Sequence, residues 1–377
     1  MRWRFAVLGV LGLAAVAAAG FAAWMFTLPP APAAAAAPAI APEEYAVTLA
    51  ALQPPKRERP LIAIIGINDA TETTDYLMPY GILKRADVAD VVALATGPGP
   101  VQLYPALKVE PDATIAEFDT THPDGADYVI VPAMSRNDDP VALAWIRQQA
   151  DKGAIVIGVC VGALVVGEAG LLDGRNGTTH WYYLDQLREQ SPAMNYVPDR
   201  RMVIDGRVAT TTGISASMPS MLTLIEAIAG REKAQAVADD LGKDAWNLRH
   251  ASAAFKFSRP FAGTVLGNVM SFWNREEFGI ELKPGMDEVT LALVADAWSR
   301  TYRSQALSFA ASGDAVSSRS GLRILPDVVA SERDGLQAIE LDGRPPSQAL
   351  DAALAAIEQR YGDRTASVVS MQLEYPR

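Results

Sequence analysis

The chain is poor in the residues that build metal centres and covalent frameworks. Its 377 residues include one cysteine, Cys160, and three histidines, His122, His180 and His250. One cysteine excludes an internal disulfide framework, and without an H-x-x-x-H or C-x-x-C pair no metal site is expected. No cofactor is expected either. Positive charge is also short: 33 Lys and Arg face 44 Asp and Glu, a net charge of −11 with a pI near 4.9. Such a balance opposes a phosphate-binding surface, so no nucleic-acid partner is expected. His122 and His250 sit in polar contexts without ligand spacing.

Set against those absences is one long apolar run. Arg2 and Arg4 precede an uncharged stretch from Phe5 to about Pro29. As a helix, roughly 24 residues would reach about 36 Å, enough to cross a hydrocarbon core of about 30 Å. The reading is a single-pass anchor in the cell membrane, with a cleaved signal as the competitor. Positive charge on the short side would place the remainder on the periplasmic, extracytoplasmic face. Pro29 to Pro60, rich in Ala and Pro, reads as a tether with little core of its own.

The most informative stretch surrounds the cysteine. Ala154-Ile155-Val156-Ile157-Gly158-Val159-Cys160-Val161-Gly162-Ala163 is an apolar, β-branched strand running into a G-x-C-x-G turn and then a helical run. That layout lifts a nucleophile out of a sheet on a sharp elbow. A helix N-terminus favours the thiolate, so a thiol pKa below the free value of about 8.5 is expected. The Val161 N–H would face an oxyanion formed on a carbonyl attacked by sulfur. The competing reading is a small buried hydrophobe.

Strand candidates Leu61 to Ile67, Val88 to Ala95, Asp127 to Val131 and Ile155 to Val159 alternate with helical stretches such as Pro140 to Asp151. Alternation of this kind predicts an α/β fold, a parallel sheet with helices on both faces and its site at the strands' C-terminal ends. Asp205-Gly206 between two apolar runs predicts a hairpin, and Ser217 to Gly230 a helix.

Downstream of the elbow, Ala169-Gly170-Leu171-Leu172-Asp173-Gly174 and Thr178-Thr179-His180-Trp181 follow. Residues 60 to 242 thereby resemble the DJ-1/PfpI family of the class I glutamine amidotransferase-like superfamily, and most closely the amidase-like domain of transcriptional regulators, here without their helix-turn-helix. The resemblance implies a flavodoxin-like three-layer sandwich. It implies Cys160 as nucleophile, His180 as its base or hydrogen-bond partner, Val161 as an oxyanion donor, and Ala133 and Met134 at the second oxyanion turn. Asp75 falls on the aspartate of the family's L-D-x-x-G-P-x-E segment. The chain departs from the pattern at Gly81, where the family's glutamate would fall, at Pro132-Ala133-Met134, which replaces a P-G-G turn, and at Pro219, which stands in an acid's place. If that turn needs a positive φ, Ala or Met would be strained there.

The C-terminal third carries an internal repeat. Val101 to Asp112 aligns without gaps with Val316 to Asp327, an offset of 215 positions. Ile225-Glu226, Gly230, Ala234 and Val237 are echoed by Ile357-Glu358, Gly362, Ala366 and Val369, an offset of 132. The second copy therefore lacks 83 residues, the difference between the offsets, and these include the elbow. The expected organisation is an anchor or signal (1–29), a linker (30–59), the DJ-1/PfpI-like domain (60–242), an interlobe connection (243–285) and a degenerate second α/β lobe (286–377). That lobe would take the place of a dimer partner. Phe255, Phe257, Phe261, Phe272 and Trp273 in the connection are expected to form interlobe core. Two functional readings stand: a Cys-dependent hydrolase or lyase acting on a small carbonyl, amide or nitrile-like compound, or a binding or sensing module with a reactive thiol. A small-molecule ligand or substrate is the expected partner in both. A transcriptional regulator is the third, weaker reading.

Overall fold

The computed structural model describes Val16 and residues 19–32, 36–332 and 335–376. Among these, no helix is long and apolar enough to cross a membrane. This corrects the expected transmembrane helix, and with it the membrane partner and the extracytoplasmic placement that rested on it. Residues 1–15 and 17–18 of the expected anchor lie outside the described residues. The described remainder is helical at Val16 and over residues 19–27. It is held by Arg259, which donates from its backbone N–H to Pro29 O at 2.8 Å and from its guanidinium to the carbonyls of Met25, Phe26 and Leu28.

The linker is also more than a tether. It contains helix α1 (Pro42–Ala51), Leu52 after it is fully buried, and Tyr45 Oη donates to Glu226 Oε2 at 2.6 Å.

The first lobe begins with β1 (Leu61–Gly66), buried at every position because both of its faces are covered. Helix α2 (Thr73–Ala86) follows, then β2 (Asp90–Ala95), β3 (Ala113–Thr114), β4 (Tyr128–Val131), α3 (Pro140–Asp151), β5 (Ile155–Gly158), α4 (Gly162–Glu168), the hairpin β6 (Met202–Asp205) and β7 (Val208–Thr211), α5 (Ser217–Ala229) and α6 (Arg231–Asp240). The seven-stranded sheet runs β6-β7-β5-β4-β1-β2-β3 and is parallel except for β6 against β7. The expected strands, hairpin and α/β class are present, with strand ends one or two residues shorter. Asp139 caps α3 through Val141 and Ala142 N–H, which explains why the helix starts at Pro140.

Beyond α7 (Arg259–Met270), the chain builds a second sheet. Its members are β8 (Glu276–Glu281), β9 (Ser304–Ala310), β10 (Val328–Val329) and β11 (Gln337–Ile339), all parallel, in the order β10-β9-β8-β11. Strand β8 falls inside the stretch read as the connection. Helix α8 (Glu288–Ser299) lies between β8 and β9, and α9 (Pro346–Tyr361) and α10 (Asp363–Leu373) close the chain.

The two sheets share one core. Tyr76, Leu77, Met221 and Leu222 of the first lobe belong to the same buried cluster as Leu291, Val294, Trp298, Leu354 and Val369 of the second. Helices α2 and α8 pack directly on each other. At Gly81, an added Cβ would stand 2.5 Å from Glu288 Oε1 and 2.7 Å from Val289 Cγ2. The glycine in place of the family's glutamate is thus a close-approach position between lobes. A chain ending after residue 242 strips this shared core of one side, so it should self-associate or precipitate; a monodisperse monomer by light scattering would remove the packing role given to the second lobe.

Candidate active site

Strand β5 ends at Gly158 and the chain turns within three residues into α4. Cys160 occupies the turn with φ 56°, a left-handed conformation that a non-glycine residue adopts only under constraint. Two threonines supply that constraint: Cys160 N–H donates to Thr211 Oγ1 at 3.1 Å, and Thr179 Oγ1 donates to Cys160 O at 3.0 Å. Close approach explains the flanking glycines better than φ does. A Cβ on Gly162 would lie 1.9 Å from Val131 O, and one on Gly158 3.0 Å from Ala163 N. Gly162→Ala is therefore expected to cost about 1–3 kcal/mol or more through forced displacement of α4 from β4, read as a lowered Tm; an unchanged Tm would show that the elbow relaxes freely.

Beside the sulfur lies a cluster of acids. Asp75 is fully buried, accepts from Ala133 N–H through Oδ2 at 3.1 Å and has no partner for Oδ1. Glu72, at the N-cap of α2, accepts from Asp75 N–H at 2.6 Å and from Thr74 Oγ1 at 2.8 Å on Oε2. Its Oε1 takes Arg300 Nη2 at 2.7 Å, while Arg300 Nε reaches Asp296 Oδ2 at 2.6 Å. Asp296 is fully buried, its Oδ1 unpartnered. Arg300 belongs to the second lobe, so one guanidinium from there serves two buried acids at the site. The family's carboxyl, expected at Gly81, has no counterpart there; the acids electrostatically coupled to Cys160 are Asp75, Glu72 and Glu374. Sequence reading missed Glu72, Arg300 and Glu374. Only the alternation of charge in the repeat, Glu72 with Arg85 and Asp287 with Arg300, could have flagged the first two.

Burial pushes the Cys160 thiol well up, and Asp75, Glu72 and Glu374 add to it, with Arg300 opposing. This reverses the expected lowering. A helix end supplies about 0.3–2 kcal/mol, and here α4 has only seven residues, whereas full burial can move a group by several pH units. Burial also raises Asp75, with Glu72 adding to it, and raises Glu72, with Asp296 adding to it. Both carboxyls are thus held above the usual carboxylate range, Glu72 at about 7.

His180 is placed near the elbow, with its ring committed elsewhere. Nε2–H donates to Gln372 O at 2.9 Å, and Nδ1 accepts from Tyr182 N–H at 3.2 Å. The carbonyl partner fixes the neutral Nε2–H tautomer, in keeping with the downward shift caused by burial. In this arrangement neither nitrogen is left for the thiol, so the ring does not match a proton shuttle. Glu374, from the end of α10, accepts from Trp181 N–H at 2.6 Å and from Gly213 N–H at 2.8 Å, so the second lobe also fixes the loop that carries His180.

Ala133 and Met134 line the cavity with Cys160 and Val161. Neither has a positive φ, so the P-A-M turn carries no backbone strain. Ala133 N–H is spent on Asp75, which leaves Val161 as the candidate oxyanion donor of the two. The cavity holds about 830 Å³. Cys160, Glu72, His180 and Arg300 line it, and the rest of the lining is largely aromatic and aliphatic, with Trp181, Tyr182, Phe257 and Phe261, and Phe21 and Trp24 from the N-terminal helical segment. Phe257 and Phe261, read as interlobe core, are thus cavity wall, and Phe272 and Trp273 stand 69% and 68% exposed.

A strained cysteine at the strand-to-helix turn of a mostly parallel sheet, facing a cavity, defines a nucleophile-elbow α/β protein. The sequence model of the DJ-1/PfpI family matches residues 62–227. Isonitrile hydratase of Pseudomonas putida is 34% identical over 168 residues, covering 43% of this chain and 70% of the hydratase. The chain belongs to the DJ-1/PfpI family. The HTH-type transcriptional regulator CdhR of Pseudomonas aeruginosa is 36% identical over 185 residues, 48% of this chain and 52% of the regulator. A solved DJ-1 superfamily protein from Salmonella typhimurium, a cysteine-to-alanine mutant, matches with 22% identity and TM-score 0.44 over 50% of this chain and all of that one.

The rate of Cys160 alkylation by iodoacetamide against pH should give an apparent pKa above the free-thiol value of about 8.5. Asp75→Asn should lower it, since removing an ionisable carboxyl removes repulsion from the thiolate. A wild-type value below about 8 would overturn this account of the site's charge.

Proposed function

We propose that the chain is a Cys-dependent hydrolase or lyase acting on a small, largely apolar compound with an electrophilic carbon, of the isonitrile, carbonyl or amide class. The carrying observation is the strained Cys160 lining a largely apolar cavity, with Glu72 and Arg300 on the same lining. The 34% identity with isonitrile hydratase supports hydration as the reaction. For an isonitrile, the thiol adds across the terminal carbon: sulfur bonds to that carbon, and the thiol proton ends on it as C–H. Water then adds to the resulting thioimidate, the C–S bond breaks, the thiol recovers its proton, and an N-formamide leaves. Val161 N–H would face the oxygen that gains charge as water adds.

A specific observation favours the alternative, a binding or sensing module: the thiol is held protonated and His180 offers it no nitrogen. Within the family we place the domain with the amidase-like part of regulators such as CdhR, on the strength of their 36% identity, without the helix-turn-helix. The regulator's role in transcription is stated by its own name and is not extended to this chain.

Screening isonitriles, amides and 2-oxoaldehydes with the wild type beside Cys160→Ser separates the two readings. Turnover of at least one class by the wild type, falling about 10³-fold or more in the variant, is the expected result. Equal rates would leave only the binding reading.

A further inference from the structure

We infer that residues 276–373 hold the place of a second subunit within the same chain, and that Arg300 is the positioning residue this built-in partner contributes to the Cys160 site. The inference uses Cys160 as a reporter and does not depend on turnover.

Helices α2 and α8 meet where the two lobes join. A shift of 215 positions carries Glu72 to Asp287 and Arg85 to Arg300. Each acid is the N-cap of its helix, and each arginine follows near the C-terminus. Two residues beyond each arginine, a non-glycine residue adopts a left-handed φ, 50° at Asp87 and 59° at Tyr302. The ion pairs run crosswise: Arg85 Nη2 to Asp287 Oδ2 at 2.8 Å, and Arg300 Nη2 to Glu72 Oε1 at 2.7 Å. Residue i of one copy meets j of the other, and j meets i, which is the rule of a two-fold, self-complementary interface.

The strands obey the same rule. Lys108–Glu110 pairs antiparallel with Arg323–Leu325, in the register Glu110↔Arg323, Val109↔Ile324 and Lys108↔Leu325. The shift of 215 carries Val109 to Ile324. The central pair is thus a position facing its own equivalent while its neighbours exchange, so a local two-fold axis passes through it. Further on, Gly230 (φ 86°, ψ 167°) joins α5 to α6 as Gly362 (φ 88°, ψ 161°) joins α9 to α10. Their offset is 132. Between the two offsets the second copy has lost the stretch that in the first holds the elbow.

That loss makes the equivalent arginines unequal. Arg85 sits with Asp287 and Asp240 and does not line the cavity. Arg300 lines the cavity with Cys160 and Glu72. Of the charged groups that act electrostatically on the sulfur, Glu72, Asp75 and Glu374 are acids and Arg300 is the cation.

The test compares the two arginines in the full chain. Arg300→Met should raise the apparent pKa of Cys160 alkylation by about one pH unit or more, slowing the reaction at pH 8 about tenfold, and Arg300→Lys should restore most of the rate. Arg85→Met should lower Tm comparably, because it breaks the mate of the same pair, yet leave the alkylation profile in place. If Arg300→Met fails to fold, Glu72→Gln should by itself lower the thiol pKa, and Glu72→Gln combined with Arg300→Met should return it toward wild type. Equal effects of the two arginines, no shift with Arg300→Met, or no effect of Glu72→Gln would each overturn the inference. By light scattering the chain should have the 40.2 kDa mass of one copy; a dimer that both arginine variants dissociate would place the interface between chains and overturn it as well.

Discussion

Most of this structure answers to one guanidinium placed between two buried carboxyls at the join of two lobes. Arg300 holds Glu72 and Asp296 at 2.7 and 2.6 Å, and it does so in a region where an unpaired charge would be strongly destabilising. Glu72 in turn caps α2 and fixes Asp75, and Asp75 reaches back to Ala133 on the far side of the elbow. Burial and charge at the site therefore cannot be separated from how the lobes pack. The same seam demands the glycine at position 81, because α2 and α8 approach too closely there for a side chain.

The chemistry that results differs from that of a thiol exposed at a helix end. Burial and the neighbouring acids raise the sulfur's pKa, and burial raises Asp75 beside it. Negative charge on that sulfur is opposed by burial and by the three acids and favoured by Arg300 from the second lobe. A largely apolar cavity suits small, weakly polar ligands, which are poorly solvated in water and lose little on entering it.

Local signals in the sequence were legible where the physics is local. Ile155 to Gly158 as a buried strand, Pro140 to Asp151 as a capped helix and the Asp205-Gly206 hairpin follow from propensity, capping and turn chemistry. The elbow was legible for the same reason, since a strand, a small-residue turn and a helix must follow each other directly in the chain. The long apolar run near the N-terminus misled: hydropathy alone does not distinguish a membrane span from a segment whose Phe21 and Trp24 line a cavity. The aromatic residues 257 and 261 misled in the same way, because composition says that a side chain is apolar but not whether it faces packing or an opening.

The amino-acid sequence by itself determined the α/β alternation, the position of the one thiol on a sheet-to-helix turn, and the spacing of the repeat at 215 and 132 positions. Only the tertiary structure decided the charge around that thiol, because Glu72, Asp296, Arg300 and Glu374 lie between 88 and 214 positions from Cys160 along the chain. It also decided that the two ring nitrogens of His180 are occupied. Burial and Coulomb interactions act through space, so they are set by which distant segments pack together.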